Sequence, residues 1–512
     1  MTAPEPTPAG EGPAPGGGPL WVPPSRLSPL VILIDPVRML PSLFLPLAGV
    51  LFFGGLSGNS LIWASLAIVG SVAYAAVRWA TFTYRVAGDR LELTRSLVSR
   101  SVKTIPLDRV RGVDVTTPPM HRLFGLSVVR IDTGASGGGK QEGELDGVSL
   151  PEAERLREVL LRRSRTVRGE AAGAPAGEAL GTVAAPETPV EERVYLRVPW
   201  RWLLYGPLSG AFLFAPFVLA GGAIGLVVQW GNDLGFGDDL PITVGQWLWH
   251  RPFLLVAIGV VLVLAMPVAG GAMYMIFNWH FTLRRRAASL VAERGLITRR
   301  SVALEHARIR GYEIADGLLE RRAKVARLWA IVTGLGDSRT RGQLLPVTPL
   351  ASVEKIAGEA VGPFTAPLRG HPAAARRRRL FRAVAPGLAV AAAGFVLGWA
   401  WIGLLGLVAA ALGVLLGLDR YRSLGHAYDG ARLSVRSGSL PRTRAVVERR
   451  AVVGWTIRQT WFQRRARVLT VIAGVGAGSG GYSAIDTGEA QGVAFAAEVS
   501  PEWITPFLER GS

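Results

Sequence analysis

The sequence predicts a mixed fold in which α-helical transmembrane hairpins alternate with three small antiparallel β-domains, each closed by a C-terminal helix. Three observations carry that expectation. Long uncharged apolar runs come in pairs, with arginine at their outer ends. After each pair the same order of short alternating strands recurs. Each strand segment then finishes in a helix whose start signal can be read.

The first apolar pair is "MLPSLFLPLAGVLFFGGLS" (39–57) and "LIWASLAIVGSVAYAAV" (61–77). Each is long enough to cross a hydrocarbon core of ~30 Å as a helix, the second barely so. Arg38 stands before the pair and Arg78 and Arg85 after it, while the loop "GNS" is uncharged. The second pair runs from Leu203 to Gln229 and from Phe253 to Phe277, with Asp233, Asp238 and Asp239 in its loop. Trp200, Arg201 and Trp202 mark one outer edge and Arg284, Arg285 and Arg286 the other. The third stretch, Ala383 to Leu418, holds no charge and at ~1.5 Å per residue would be far longer than one crossing. Basic flanks at both of its ends favour a tight hairpin turning near Gly398 and Trp399. By the positive-inside rule all three hairpins keep their ends, and the β-domains, on the cytoplasmic side of the inner membrane.

Composition narrows the function. The net charge of +19 comes almost entirely from arginine, with only four lysines among 57 basic residues. Its crowding at the ends of the apolar runs fits membrane topology better than nucleic-acid binding. There is no cysteine, which excludes disulfides, thiolate metal sites and cysteine nucleophiles. None of the apolar runs contains Asp, Glu, Lys, Arg or His. Ion pathways and proton relays need such groups inside the membrane, so the spans read as anchors. The opening residues are rich in Pro and Gly and lack the order of a secretory signal, which reads as a disordered cytoplasmic tail.

The expected organisation is a tail over 1–30, hairpin one over 31–80, β-domain one over 81–163 and a linker over 164–190. Hairpin two then covers 191–280, β-domain two 281–364 and a basic linker 365–382. Hairpin three covers 383–420 and β-domain three 421–512.

The three β-domains share phrases. "DRVRGVDV", "ARIRGYEI" and "RAVVGWTI" place Gly112, Gly311 and Gly454 in equivalent positions. An Arg-bearing segment follows each: "HRLFGLSVVRIDTG", "RRAKVARLWAIVTG" and "QRRARVLTVIAG". The closing helices start at Ser149, with Glu152 completing a capping box, at Thr348, and at Ser500 followed by Pro501. Short alternating strands closed by one helix indicate a small barrel or sandwich.

Hairpins joined to this repeat, with phrases such as "HRLFGL" and "DRVRG", resemble the bacterial pleckstrin-homology-like (PH-like) membrane proteins of the multi-pass YdbT-like class. The resemblance runs from near Arg26 onward, apart from the linker. It implies three PH-like barrels of about seven strands, each with a C-terminal helix. It also implies a companion membrane protein with a single such domain and a role in envelope maintenance.

One motif invites an enzymatic reading. In "DTGASGGGKQ", Gly134, Gly139 and Lys140 have the spacing of a phosphate-binding loop. Gln141 stands where a P-loop needs Ser or Thr, and turn and strand follow instead of a helix. The matching tips, "GLGDSRTRGQ" and "GVGAGSGGYS", lack the motif, so the segment reads as a hairpin tip. The six histidines, His121, His250, His280, His306, His371 and His426, are scattered without metal-ligand spacing. His280 and His426 read as interfacial. The loop aspartates do not have calcium-loop spacing. No catalytic set, cofactor or metal is expected.

The candidate recognition residues are basic: Arg284, Arg285, Arg286, Arg299, Arg300, Arg321, Arg322, Lys324 and Arg327 in the second domain, and Arg376, Arg377, Arg378, Arg379 and Arg382 before the third hairpin. Near an anionic leaflet, each such cation gains about 1 kcal/mol. The expected function is a non-catalytic scaffold or adaptor that binds protein partners, itself as a homo-oligomer, or anionic lipid, and not nucleic acid. The alternative is a lipid-handling or transport-related protein that uses the hairpins.

Overall fold

The structure is a computed structural model. It describes residues 25–35, 58–87, 90–96, 100–107, 110, 112–132, 143–167, 192–210, 212, 214–233, 240–286, 288–333 and 342–507. The phosphate-loop-like segment 133–141, the first apolar run 39–57, residues 168–190 of the linker expected over 164–190 and the acidic-loop residues Asp238 and Asp239 lie outside the described residues. The chain divides into two compact units. One comprises Met1–Val110, Met120–Ile131 and Gln141–Glu178, and the other Arg111–Pro119, Asp132–Lys140 and Ala179–Ser512.

In the first unit, helix α1 (Gly58–Thr81) covers the second apolar run and leads directly into a meander. Strands β1 (Ser25–Arg26), β2 (Phe82–Ala87), β3 (Arg90–Ser96) and β4 (Arg100–Pro106) form an antiparallel sheet in that order. Alternation puts Phe82, Tyr84 and Val86 on the buried face with Leu91, Leu93 and Ile105. The end of the expected tail is ordered here: Leu27, Val31 and Ile34 are buried, and Asp35 receives Arg78 at 3.0 Å. Ser28 donates to the Gly147 carbonyl, and a Cβ at Gly147, where φ is +97°, would overlap Val31. Only glycine serves there. Helix α2 (Pro119–Leu123) precedes β6 (Leu126–Asp132), which pairs with β7 (Gly143–Ser149) before the closing helix α3 (Leu150–Val167).

The second unit carries most of the membrane-type helices. Three helices among the described residues are long and apolar enough to cross a membrane: Pro252–Asn278, Ala373–Val396 and Ala400–Arg422. The apolar run from Leu203 to Gln229 is not one helix, as was expected. Trp200–Leu203 and Gly206–Ser209 are single turns, and helix α4 begins only at Ala215 and ends at Asp233. Pro207, together with Gly210 at φ +71°, interrupts the backbone ladder. The expected acidic loop is partly helical, with α5 at Leu240–Trp249, before α6 (Pro252–Asn278). The last two long helices, α9 (Ala373–Val396) and α10 (Ala400–Arg422), are joined through Gly398 at φ +74°.

The β-structure departs from the expected barrels: the sheets are open. Strands β8 (Glu192–Arg197), β9 (Thr282–Arg286), β10 (Ser289–Arg294) and β11 (Arg299–Glu305) lie in sequence order, and β11 pairs next with β5 (Gly112–Thr117). A second sheet has the order β14-β13-β12-β17-β16-β15. Here β12 (Ile309–Gly317), β13 (Val325–Val332) and β14 (Gln343–Pro349) come from the second repeat. Strands β15 (Gly425–Tyr428), β16 (Arg432–Gly438) and β17 (Pro441–Glu448) come from the third. The last sheet is β18 (Val452–Arg458), β19 (Val468–Val475) and β20 (Gly481–Gly488).

The physical reason for the open sheets is visible at the joins. Within the second and third repeats a short turn, His306–Arg308 or Arg449–Ala451, separates the first three strands from the next three. The fourth strand must satisfy its backbone groups on both edges. In β5 and β12 the outer edge finds the third strand of the following repeat instead of its own. Both joins keep one register. Val115 lies opposite Ser301, and Ile314 opposite Arg444, each pairing the third residue after the shared glycine with the tenth before the next one. Helices α8 (Leu350–Ala360) and α12 (Glu489–Val499) close the second and third repeats through Val353, Ile356, Phe495 and Val499. Helix α12 ends where the third closing helix was expected to start, and Pro501–Ile504 after Ser500 is a single turn with no buried residue.

Candidate functional site

Directly after the fourth strand of each repeat comes a five-residue helix: α2, α7 (Leu318–Arg322) and α11 (Trp461–Arg465). The third residue of each turns inward. His121 meets Asp146 at 2.7 Å, both buried. Glu320 takes the Gly317 amide and Arg327, the latter at 3.2 Å. Gln463 donates to Asp486 and to Thr470, each at 2.9 Å, and completes a capping box with Thr460. Burial pushes the Glu320 carboxyl up, against the opposing pull of Arg327.

With the third residue locked inside, large apolar residues point out. Met120 and Leu123 are exposed on α2, and Leu318 and Leu319 on α7. On α11, Trp461 is 66% and Phe462 68% exposed. Cations surround the last two tips: Arg322 and Lys324 on one, and Arg464, Arg465 and Arg467 on the other, with Arg465 over the Trp461 ring at 6.0 Å.

The residue that ends each tip has a left-handed backbone. In the first repeat this is Gly125 at φ +66°, but in the others it is Lys324 at +54° and Arg467 at +52°. A long side chain there costs ~1 kcal/mol relative to glycine. Lys324→Gly and Arg467→Gly are therefore each expected to raise the melting temperature of the detergent-solubilised protein by a few degrees. Thermal melts of the two variants beside the wild type check this.

Ion pairs hold these tips at the ends of the membrane helices. Arg321 of α7 grips Asp419, near the end of α10, through both carboxylate oxygens at 2.9 and 3.0 Å. It also donates to the Ser439 carbonyl, and Ser439 to Asp419. On the other side, Asp486, which already accepts from Gln463 of α11, meets Arg378 at 3.2 Å and Arg379 at 3.0 Å. Both arginines lie on α9 just before its apolar stretch.

The expected basic residues thus divide. Arg284 is held by Glu192 and Glu293 in the β8–β10 sheet, with Arg285 and Arg286 following it in β9. Arg300 reaches Asp114, while Arg321, Arg327, Arg378 and Arg379 are bound as described above. Arg299, Arg322, Lys324, Arg376, Arg377 and Arg382 are exposed. The apolar tip residues were not singled out in the sequence. The T-x-x-Q box at Thr460–Gln463 was their available signal, because it marks a helix start immediately before Trp461 and Phe462 and turns Gln463 back toward Thr460.

His426 was expected at the interface but is fully buried. Its Nδ1 lies 3.1 Å from Nε2 of His371, and its ring packs against Phe495. Burial, with the neighbouring His371 and Arg369, pushes its pKa down to about 4, and burial lowers His371 as well. A depressed histidine stabilises the fold above the unfolded pKa of ~6.5 and loses that contribution as pH falls through its folded pKa. Acidification from pH 7 to 4 should therefore cost the third domain on the order of 3 kcal/mol. Hydrogen exchange in β15, corrected for intrinsic rates, should accelerate over that window, and His426→Phe should flatten the response. Among the described residues, no group of His, Asp or Glu could hold a metal ion.

Repeated β-domains joined to long hydrophobic helices define a class of membrane protein. The chain belongs to the bacterial PH domain family, whose model matches residues 40–164, 216–360 and 384–498. Each match begins within or beside a predicted hairpin, so the repeating unit carries membrane helix and β-domain together. The chain is also similar to the UPF0699 transmembrane protein YdbT of Bacillus subtilis (strain 168). The two are 23% identical over 487 residues, covering 88% of this chain and 92% of that one. No solved structure matches.

Proposed function

We propose that the protein is a non-catalytic scaffold of the inner membrane, whose PH-like domains stand on the cytoplasmic side and grip the anionic leaflet through their helical tips. The observation that carries this reading is the pairing of exposed Leu318–Leu319 and Trp461–Phe462 with exposed cations, on helices tied to Asp419 and to Arg378 and Arg379. Aromatic and aliphatic side chains gain by entering the acyl boundary, and the cations gain about 1 kcal/mol each beside anionic headgroups. Arg376, Arg377 and Arg382 extend the same charge along the start of α9. Several weak contacts on one chain add through their shared anchor.

The chain has no cysteine, which makes a direct test available. A single cysteine at Phe462 or Leu319, carrying an environment-sensitive dye, is placed in nanodiscs of phosphatidylglycerol or phosphatidylcholine. Blue-shifted emission, quenching by brominated lipid and a stronger response in phosphatidylglycerol are expected. A dye at exposed Ser479 serves as the aqueous reference, and identical behaviour at all three positions would reject the reading.

A further inference from the structure

The two joins between repeats leave two strands without the partner that their counterparts have. Strands β5 and β12 each pair with the third strand of the next repeat. Strand β18 holds the same place in the last repeat, and among the described residues it pairs only with β19. Strand β4 is the third strand of the first repeat, and among the described residues it pairs only with β3.

Burial reports the missing neighbour. Val115 and Ile314, three residues after Gly112 and Gly311, are 4% and 7% exposed. Ile457 stands at that position after Gly454 and is 45% exposed. On the other partner, Ala303 and Val446 are buried, whereas the equivalent Thr104 is exposed, as are Lys103 and Val102. An edge strand showing apolar residues is normally guarded by a charge, a proline or a bulge, because it templates further pairing. Val453 and Ile457 of β18 stand open, with Arg458 at its end. The bulge between Val452 and Gly454 matches the one between Ile309 and Gly311 in β12, which does not keep β12 from pairing with β17.

We infer that β18 of one molecule accepts β4 of a second copy of this chain, repeating between molecules the join that links consecutive repeats within one. Applying the register shared by both joins puts Ile457 opposite Val102, the two exposed aliphatic residues of the respective strands. It also places Trp455 opposite Thr104, Thr456 opposite Lys103 and Arg458 opposite Ser101, so none of these pairs sets like charges directly against each other. The contact is head-to-tail, which builds rings or rows of molecules along the membrane and not a symmetric pair. It extends the scaffold reading but does not require lipid contact, so its test is run in detergent without anionic lipid as well as in membranes. A failure of the lipid reading leaves that test intact.

Two differently tagged full-length copies are co-expressed, one carrying Val102→Cys and the other Ile457→Cys, and mildly oxidised. Neither substitution enters the core. The expected result is a disulfide dimer containing both tags. Its yield should exceed that of Val102→Cys with Thr456→Cys by about tenfold, because a one-residue offset turns the side chain to the other face. Equal yields from the two pairs, dimers formed only between two Ile457→Cys copies, or no dimer in either medium would each overturn the inference.

Discussion

Replacing Gly406 with leucine is expected to force apart the helices of the last hairpin. On α10 the small residues Gly403, Gly406, Ala410, Gly413 and Gly417 recur at alternating spacings of three and four, and they face Gly394, Ala391, Gly387, Ala383 and Leu380 of α9 in turn. That spacing keeps one seam of each helix against the other, and the absence of side chains lets the backbones touch. A Cβ on Gly406 would overlap the Ala391 backbone, and one on Gly394 the backbone of Gly403. No rotamer relieves a collision that begins at Cβ. The cost should reach about 3 kcal/mol, the upper range for overpacking. It should appear as a lower melting temperature in detergent and as faster hydrogen exchange along both helices. Val408→Leu, on the exposed side of the same helix, should change neither.

Asp486→Ala should be comparably damaging for an electrostatic reason. Its carboxylate receives Arg378, Arg379 and Gln463, and it is fully buried. Its removal leaves two largely buried arginines, 14% and 16% exposed, without their carboxylate. Breaking a buried pair from one side costs about 3–5 kcal/mol. The loss should be local. Exchange should rise in α11 and at the start of α9, while β12 to β14 keep their protection. Asp486→Asn retains shape and hydrogen-bonding capacity but not charge, and should fall between the wild type and Asp486→Ala.

How much of this was legible in the sequence depends on the range of the interaction that decides each feature. The third hairpin could be read because a long charge-free run with Gly398 near its middle leaves few alternatives. The strands could be read from alternation and from the recurring glycines at 112, 311 and 454. Alternation shows which face is buried, but it does not show which strand supplies the neighbouring edge. For that reason the sheets were expected to close within each repeat, whereas β12 reaches β17. The first run of the second pair was read by composition, which ranks Leu203 to Gln229 as one stretch. Pro207 is a local interruption that composition averages away.

The site divides along the same line. The arginine clusters were conspicuous as composition, but whether each guanidinium is exposed or bound depends on carboxylates far along the chain, such as Asp419 for Arg321 and Asp486 for Arg378. Trp461 and Phe462 were not singled out in the sequence. They are outward because Gln463 takes the only inward position of a helix one turn long.

The shared strands also bear on how the protein is made. Strand β12 ends at Gly317, but the strand that completes its outer edge begins only at Pro441, after a further membrane hairpin. A nascent chain leaves the ribosome at roughly 5–20 residues per second. The open edge must therefore wait several seconds, beside a membrane into which the next hairpin is still being inserted. During that interval the growing protein displays the kind of surface on which chains misassociate. Folding is then paced by insertion, and a ribosome that stalls within residues 383–420 would leave a protein whose second domain is chemically complete yet structurally unfinished.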